Sequence, residues 1–114
     1  MLSARNIKVQ DNTIIGSNGS FSAFGISIFG SDLVEVINNS VLDTVGGENP
    51  GTAVSVRDSN NATIINNRLL NGAAPGQFGI IGTNSDFNCI NNVVARFNTA
   101  ISSCTFSIGN LTPP

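Results

Sequence analysis

Three side chains that carry much of protein chemistry are missing: the 114 residues contain no histidine, no tryptophan and no tyrosine. Without histidine, Ser-His and Cys-His nucleophile systems are excluded, as are most zinc sites. Charge is also scarce. Only 11% of residues are charged, and five dispersed basic residues against seven acidic ones leave a net charge of −2. Nucleic acid needs a clustered basic face, so no nucleic-acid partner is expected. No apolar run approaches the roughly 18 residues of a membrane span. The two cysteines, Cys89 and Cys104, are too few for a disulfide scaffold, and their spacing matches no metal motif. Buried free thiols are expected ahead of a bridge between the two, with no metal and no cofactor.

What the chain has instead is asparagine, 17 residues of it, with 12 glycines and 40% hydrophobic residues. Such a composition is poor in helix formers and rich in residues that turn, so strands and turns should dominate. At this length the chain should form one domain, spanning 1–114, with one modest core.

A repeat organises it. Val9-Gln10-Asp11-Asn12-Thr13-Ile14, Val36-Ile37-Asn38-Asn39-Ser40-Val41, Ile64-Ile65-Asn66-Asn67-Arg68-Leu69 and Cys89-Ile90-Asn91-Asn92-Val93-Val94 align without gaps, and their second asparagine recurs at steps of 27, 28 and 25 residues. A second apolar block precedes each of the last three, as Ile26-Ser27-Ile28, Val54-Ser55-Val56 and Gly79-Ile80-Ile81. Strand alternation turns Ile7/Val9, Val34/Val36, Ala62/Ile64 and Phe87/Cys89 inward, together with Ile14, Val41, Leu69 and Val94. Stacked coil upon coil, these positions make a continuous core. Asn12, Asn39, Asn67 and Asn92 are expected to take the left-handed bend between strands, and to bond to one another as a ladder at the strand spacing of about 4.8 Å. Lys8, Glu35, Thr63 and Asn88 share an outward file, which predicts a Lys8–Glu35 ion pair between adjacent coils.

The repeated Ile/Val-x-Asn-Asn-x-Ile/Val blocks resemble those of the right-handed parallel β-helix repeat family. That is the fold of pectate lyases, of other polysaccharide-active enzymes and of many phage tailspikes. The resemblance covers roughly residues 6–110 and implies an all-β, right-handed parallel β-helix of about four coils. Regular coils should run over about 6–99, with an irregular partial coil and tail over 100–114. It also implies a carbohydrate association, by analogy of fold alone.

The length left over falls after each asparagine turn, in Gly16–Phe24, Asp43–Gly51, Asn71–Phe78 and the short Arg96–Thr99. Stacking puts these loops on one side, where solenoids commonly bind. Asp43, Glu48 and Arg68 could approach one another there, and acidic residues with a basic one are what lyase chemistry on an acidic polysaccharide requires. Asp32, Asp58 and Asp86 recur in turns, as candidates for the paired carboxylates of a glycosidase. The plainer role of a turn aspartate is to cap local N–H groups. Phe21, Phe24 and Phe78 lie in the same loops and are the candidate aromatic platform for a sugar.

Ile37, Ile65 and Ile90 precede the asparagine of each block and should point outward, an apolar file that calls for a cover. The first expectation is therefore a non-catalytic structural or binding module that self-associates, or packs on the remainder of a longer β-helix, with polysaccharide as a possible partner. The alternative is a minimal polysaccharide lyase or hydrolase. Residues Met1-Leu2-Ser3-Ala4-Arg5 lack the apolar stretch of a secretory leader. The chain is thus expected either to stay inside the cell or to belong to a longer exported protein, and a phage structural protein would also lack a leader.

Overall fold

The computed structural model describes residues 4–72 and 77–113, and contains no helix among them. Thirteen strands form: β1 (Ala4–Gln10), β2 (Thr13–Ile15), β3 (Phe24–Phe29), β4 (Ser31–Ile37), β5 (Ser40–Leu42), β6 (Thr52–Arg57), β7 (Asn60–Ile65), β8 (Arg68–Leu70), β9 (Phe78–Thr83), β10 (Phe87–Ile90), β11 (Val93–Ala95), β12 (Thr99–Ser102) and β13 (Phe106–Ile108). Every third strand pairs with its counterpart one coil on. The result is three parallel sheets, ordered β1-β4-β7-β10-β13, β2-β5-β8-β11 and β3-β6-β9-β12. The chain is a parallel β-solenoid of about three turns. That is slightly fewer than the sequence repeat suggested, and the last return, between Asn92 and Asn110, is cut to 18 residues.

Register follows the apolar pattern. Ile7, Val34, Ala62 and Phe87 stand in one inward file, Val9, Val36, Ile64 and Cys89 in the next, and Ile14, Val41, Leu69 and Val94 face them from the second sheet. From Val34 onward these side chains are buried. A slip by one residue would turn each file to solvent, and that is why the register is unique. In the third sheet, one expected alignment is corrected. Ile80, not Gly79, pairs with Val54 and Ile26, so Gly79 falls level with Gly25 and Ala53. The reason is steric: a Cβ on Gly25 or Gly79 would run into the Cγ1 of Val41 or Val94. Gly82 likewise leaves room for the ring of Phe87.

Two further expectations are corrected. Cys89 and Cys104 are not free thiols; they form a disulfide, with Cα atoms 6.1 Å apart. Cys89 does occupy the core file, but the short last return brings Cys104 alongside it, a proximity that a 15-residue separation in sequence does not reveal. Lys8 and Glu35 are partners in register, yet the ion pair that forms among the described residues is Arg5–Asp32, 3.7 Å apart. Both Lys8 and Glu35 are exposed, and solvent gives too little for such a pair to hold two long side chains still.

Candidate functional site

Two polar files line the corners of the solenoid. At the first corner, Asn12 Nδ2 donates to Asn39 Oδ1, Asn39 Nδ2 to Asn67 Oδ1, and Asn67 Nδ2 to Asn92 Oδ1, each at 3.0 Å. Asn92 Nδ2 donates in turn to Asn110 Oδ1, also at 3.0 Å. The backbone N–H of each asparagine bonds the same acceptor. The second amide hydrogen of Asn39, Asn67 and Asn92 goes back to Val9, Val36 and Ile64 carbonyls at 2.9 Å. Buried amides thus keep every proton paired, which is the condition for burying them at all.

The left-handed bend is not made by these asparagines. It falls one residue earlier, at Asp11, Asn38, Asn66 and Asn91 (φ 53° to 58°), and at Gly109 (φ 69°). The Asn-Asn pair therefore divides the work: the first residue turns the chain and the second bonds the coils together.

The second corner, between the third and first sheets, holds a serine file that the repeat analysis missed. Ser31 N–H donates to Ser59 Oγ and Ser59 N–H to Ser85 Oγ, both at 3.1 Å. Ser31 and Ser59 return their hydroxyl protons to Phe29 and Arg57 carbonyls. The signal was present: a serine stands eight, eight and seven residues before Asn39, Asn67 and Asn92. Serine is common enough in this chain to hide it. The turn carboxylates are tied to neighbouring coils at the same corner. Asn61 Nδ2 donates to Asp32 at 3.0 Å, and Asn84 Nδ2 to Asp58 at 2.8 Å.

The loops join the second sheet to the third and lie on one side. Residues 73–76 of the third loop fall outside the described residues. Asp43 begins its loop in a left-handed conformation (φ 57°), and its Oδ1 accepts the Gly72 N–H at 2.7 Å. Glu48 sits further out, where its backbone N–H bonds Ser20. Arg68 opens β8, level with Ser40, three residues short of the Asp43 level and so about 10 Å along the strand. No ion pair joins these three, and among the described residues no group of three or more His, Cys, Asp or Glu could hold a metal ion.

The aromatic candidates divide. Phe24 and Phe78 share an outward file on the third sheet with Thr52 between them, two coil steps or about 9.6 Å apart. They line a shallow groove of about 460 Å³ with Ile81, Arg57, Thr83 and Asn49. Phe21 is 59% exposed on its loop and does not line it. Arg57 lies 5.8 Å from the centre of the Phe29 ring at the groove's end, a cation–π arrangement.

On the first sheet Ile37, Ile65 and Ile90 form an outward, half-buried file. The structure extends it in both directions, with Gln10 on the first coil and Ile108, 54% exposed, on the last. Ile108 escaped the repeat because the shortened return breaks the period. Compared with known proteins, the chain matches no family model, no curated protein and no solved structure.

Proposed function

We propose that this chain is a non-catalytic structural module that associates with itself through the outer face of its first sheet. The observation that carries the reading is the file Ile37, Ile65, Ile90 and Ile108, four isoleucines in outward register on consecutive coils. Fold resemblance to tailspike and other β-helix proteins supports it by analogy. Light scattering across a concentration series tests it. A stable dimer or trimer is expected, and a monomer at high concentration would overturn it.

A second reading rests on a separate observation, the groove of Phe24, Phe78 and Arg57. Aromatic faces two coils apart can stack on sugar rings, and Arg57 is the charged residue lining the groove, suited to a carboxylate on an acidic polysaccharide. Affinity electrophoresis through gels containing polyuronate or neutral glucan checks this. Retardation should be specific to the polyuronate and fall with Arg57→Ala or the double variant Phe24→Ala/Phe78→Ala. Equal mobility in all gels would leave the groove without a carbohydrate role.

A further inference from the structure

The last coil is built differently from the others. Its inward files end in polar residues: Thr105 follows Phe87 and Ser107 follows Cys89. Both are exposed, as are Phe106 and Ile108 between and beside them, so little apolar burial holds β13 in place. A cavity of about 490 Å³ remains at this end, lined by Ile101, Cys104, Ser107, Ile108 and Asn110 among others.

The same segment nevertheless covers the edges of β10 and β11. Asn110 Nδ2 bonds the Cys89 carbonyl as its predecessors bond theirs, and its other proton goes to Ser107 Oγ at 2.9 Å, within its own coil. Leu111–Pro113 run along β11, accepting the Val94 N–H at Leu111 (2.8 Å) and the Arg96 N–H at Pro113 (3.3 Å). Proline has no N–H with which to receive a further strand.

We infer that the Cys89–Cys104 disulfide is a redox latch on this C-terminal cap. Cys89 is fully buried in the core file and Cys104 is only half-buried, so the sulfur of Cys104 is the one within reach of a thiolate. A dithiol reductant attacks there, forming a mixed disulfide and releasing the Cys89 thiolate, which takes up a proton. The reductant's second thiol then closes on the first, freeing the Cys104 thiol and leaving the reductant as its own disulfide. Two electrons and two protons pass to the protein. Reduced Cys89 keeps its place beneath Ile64 as a small apolar side chain, so the inner coils hold. The cap, left with its hydrogen bonds and little core, opens and exposes the edges of β10 and β11.

Amide hydrogen exchange on the full chain, with and without dithiothreitol, tests this. The N–H groups of Asn91 and Val94 bond Ile108 and Leu111 of the cap, whereas that of Asn38 bonds Ile65 on the next coil, itself two coils from the cap. Reduction should speed exchange at Asn91 and Val94 by about tenfold or more and leave Asn38 unchanged. Cys104→Ser should do the same without reductant; should that variant fail to fold, the reduced native chain decides alone. Unchanged protection at Asn91 and Val94 would overturn the latch. An equal loss at Asn38 would overturn it too, since the bridge would then be a clamp on the whole fold.

Discussion

Leu33 stands in a left-handed backbone conformation (φ 57°), where the coils on either side have Asn6 and Asn61 at φ 55°. Asparagine tolerates that conformation and leucine does not, at a difference of about 1 kcal/mol. Leu33 is 40% exposed, so it recovers little of this by burial. Leu33→Asn should therefore stabilise the protein by about 0.5–1 kcal/mol, seen as a higher urea midpoint at constant slope. Gly82 makes the opposite case. A Cβ there would meet the Phe87 ring, and Gly82→Ala should destabilise by about 1–3 kcal/mol. In a double-mutant cycle, Phe87→Leu should return part of that loss. Additive effects would show that the two sites do not share the space. Leu33 keeps the six-residue spacing to the shared asparagine that Asn6 and Asn61 have, whereas the Gly82–Phe87 contact is not legible from periodicity, since it depends on which residues face each other across the interior.

Among the elements, the corners bear more of the specificity than the strands. Asn67 accepts from the N–H and Nδ2 of Asn39 and donates to Val36 and Asn92, all while 2% exposed. Asn67→Leu is more apolar, but it orphans buried donors and acceptors on both sides. A loss of about 2–4 kcal/mol is expected, measurable as a drop in thermal midpoint. Unchanged stability would mean that water satisfies those groups. The Asn-Asn spacing revealed this corner in the sequence, although it assigned bend and bond to the same residue. The serine corner went unread because Ser31, Ser59 and Ser85 have no distinctive neighbours.

At the scale of the molecule, what matters is which surfaces stay uncovered. The outer face of the first sheet combines the isoleucine file with a polar one, Lys8, Glu35, Thr63 and Asn88. Such a face can pack on a copy of itself without burying unpaired charge at its centre. Ile65→Lys places a charge in the middle of the file, and since the side chain points outward it should leave the thermal midpoint within about 0.5 kcal/mol of native. Its solution mass should fall to that of a monomer. An oligomer that survives Ile65→Lys would move the interface elsewhere, with the groove of Phe24 and Phe78 next in line.

The amino-acid sequence by itself determined the architecture. A period of 25–28 residues with alternating Val and Ile around an Asn-Asn pair leaves one way to bury every file at once. It determined the register of the first two sheets and the side on which the loops gather, for the same reason, while the third sheet's alignment of Ile80 with Val54 was settled by packing at Gly79. Only the tertiary structure decided the rest. The Cys89–Cys104 bond and the place of Ile108 depend on a return of 18 residues that breaks the period. The separation of Asp43, Glu48 and Arg68, and the sharing of one groove by Phe24 and Phe78, depend on coil geometry across different loops. Repetition encodes what neighbouring coils share, and contacts outside the repeat exist only once the coils have stacked.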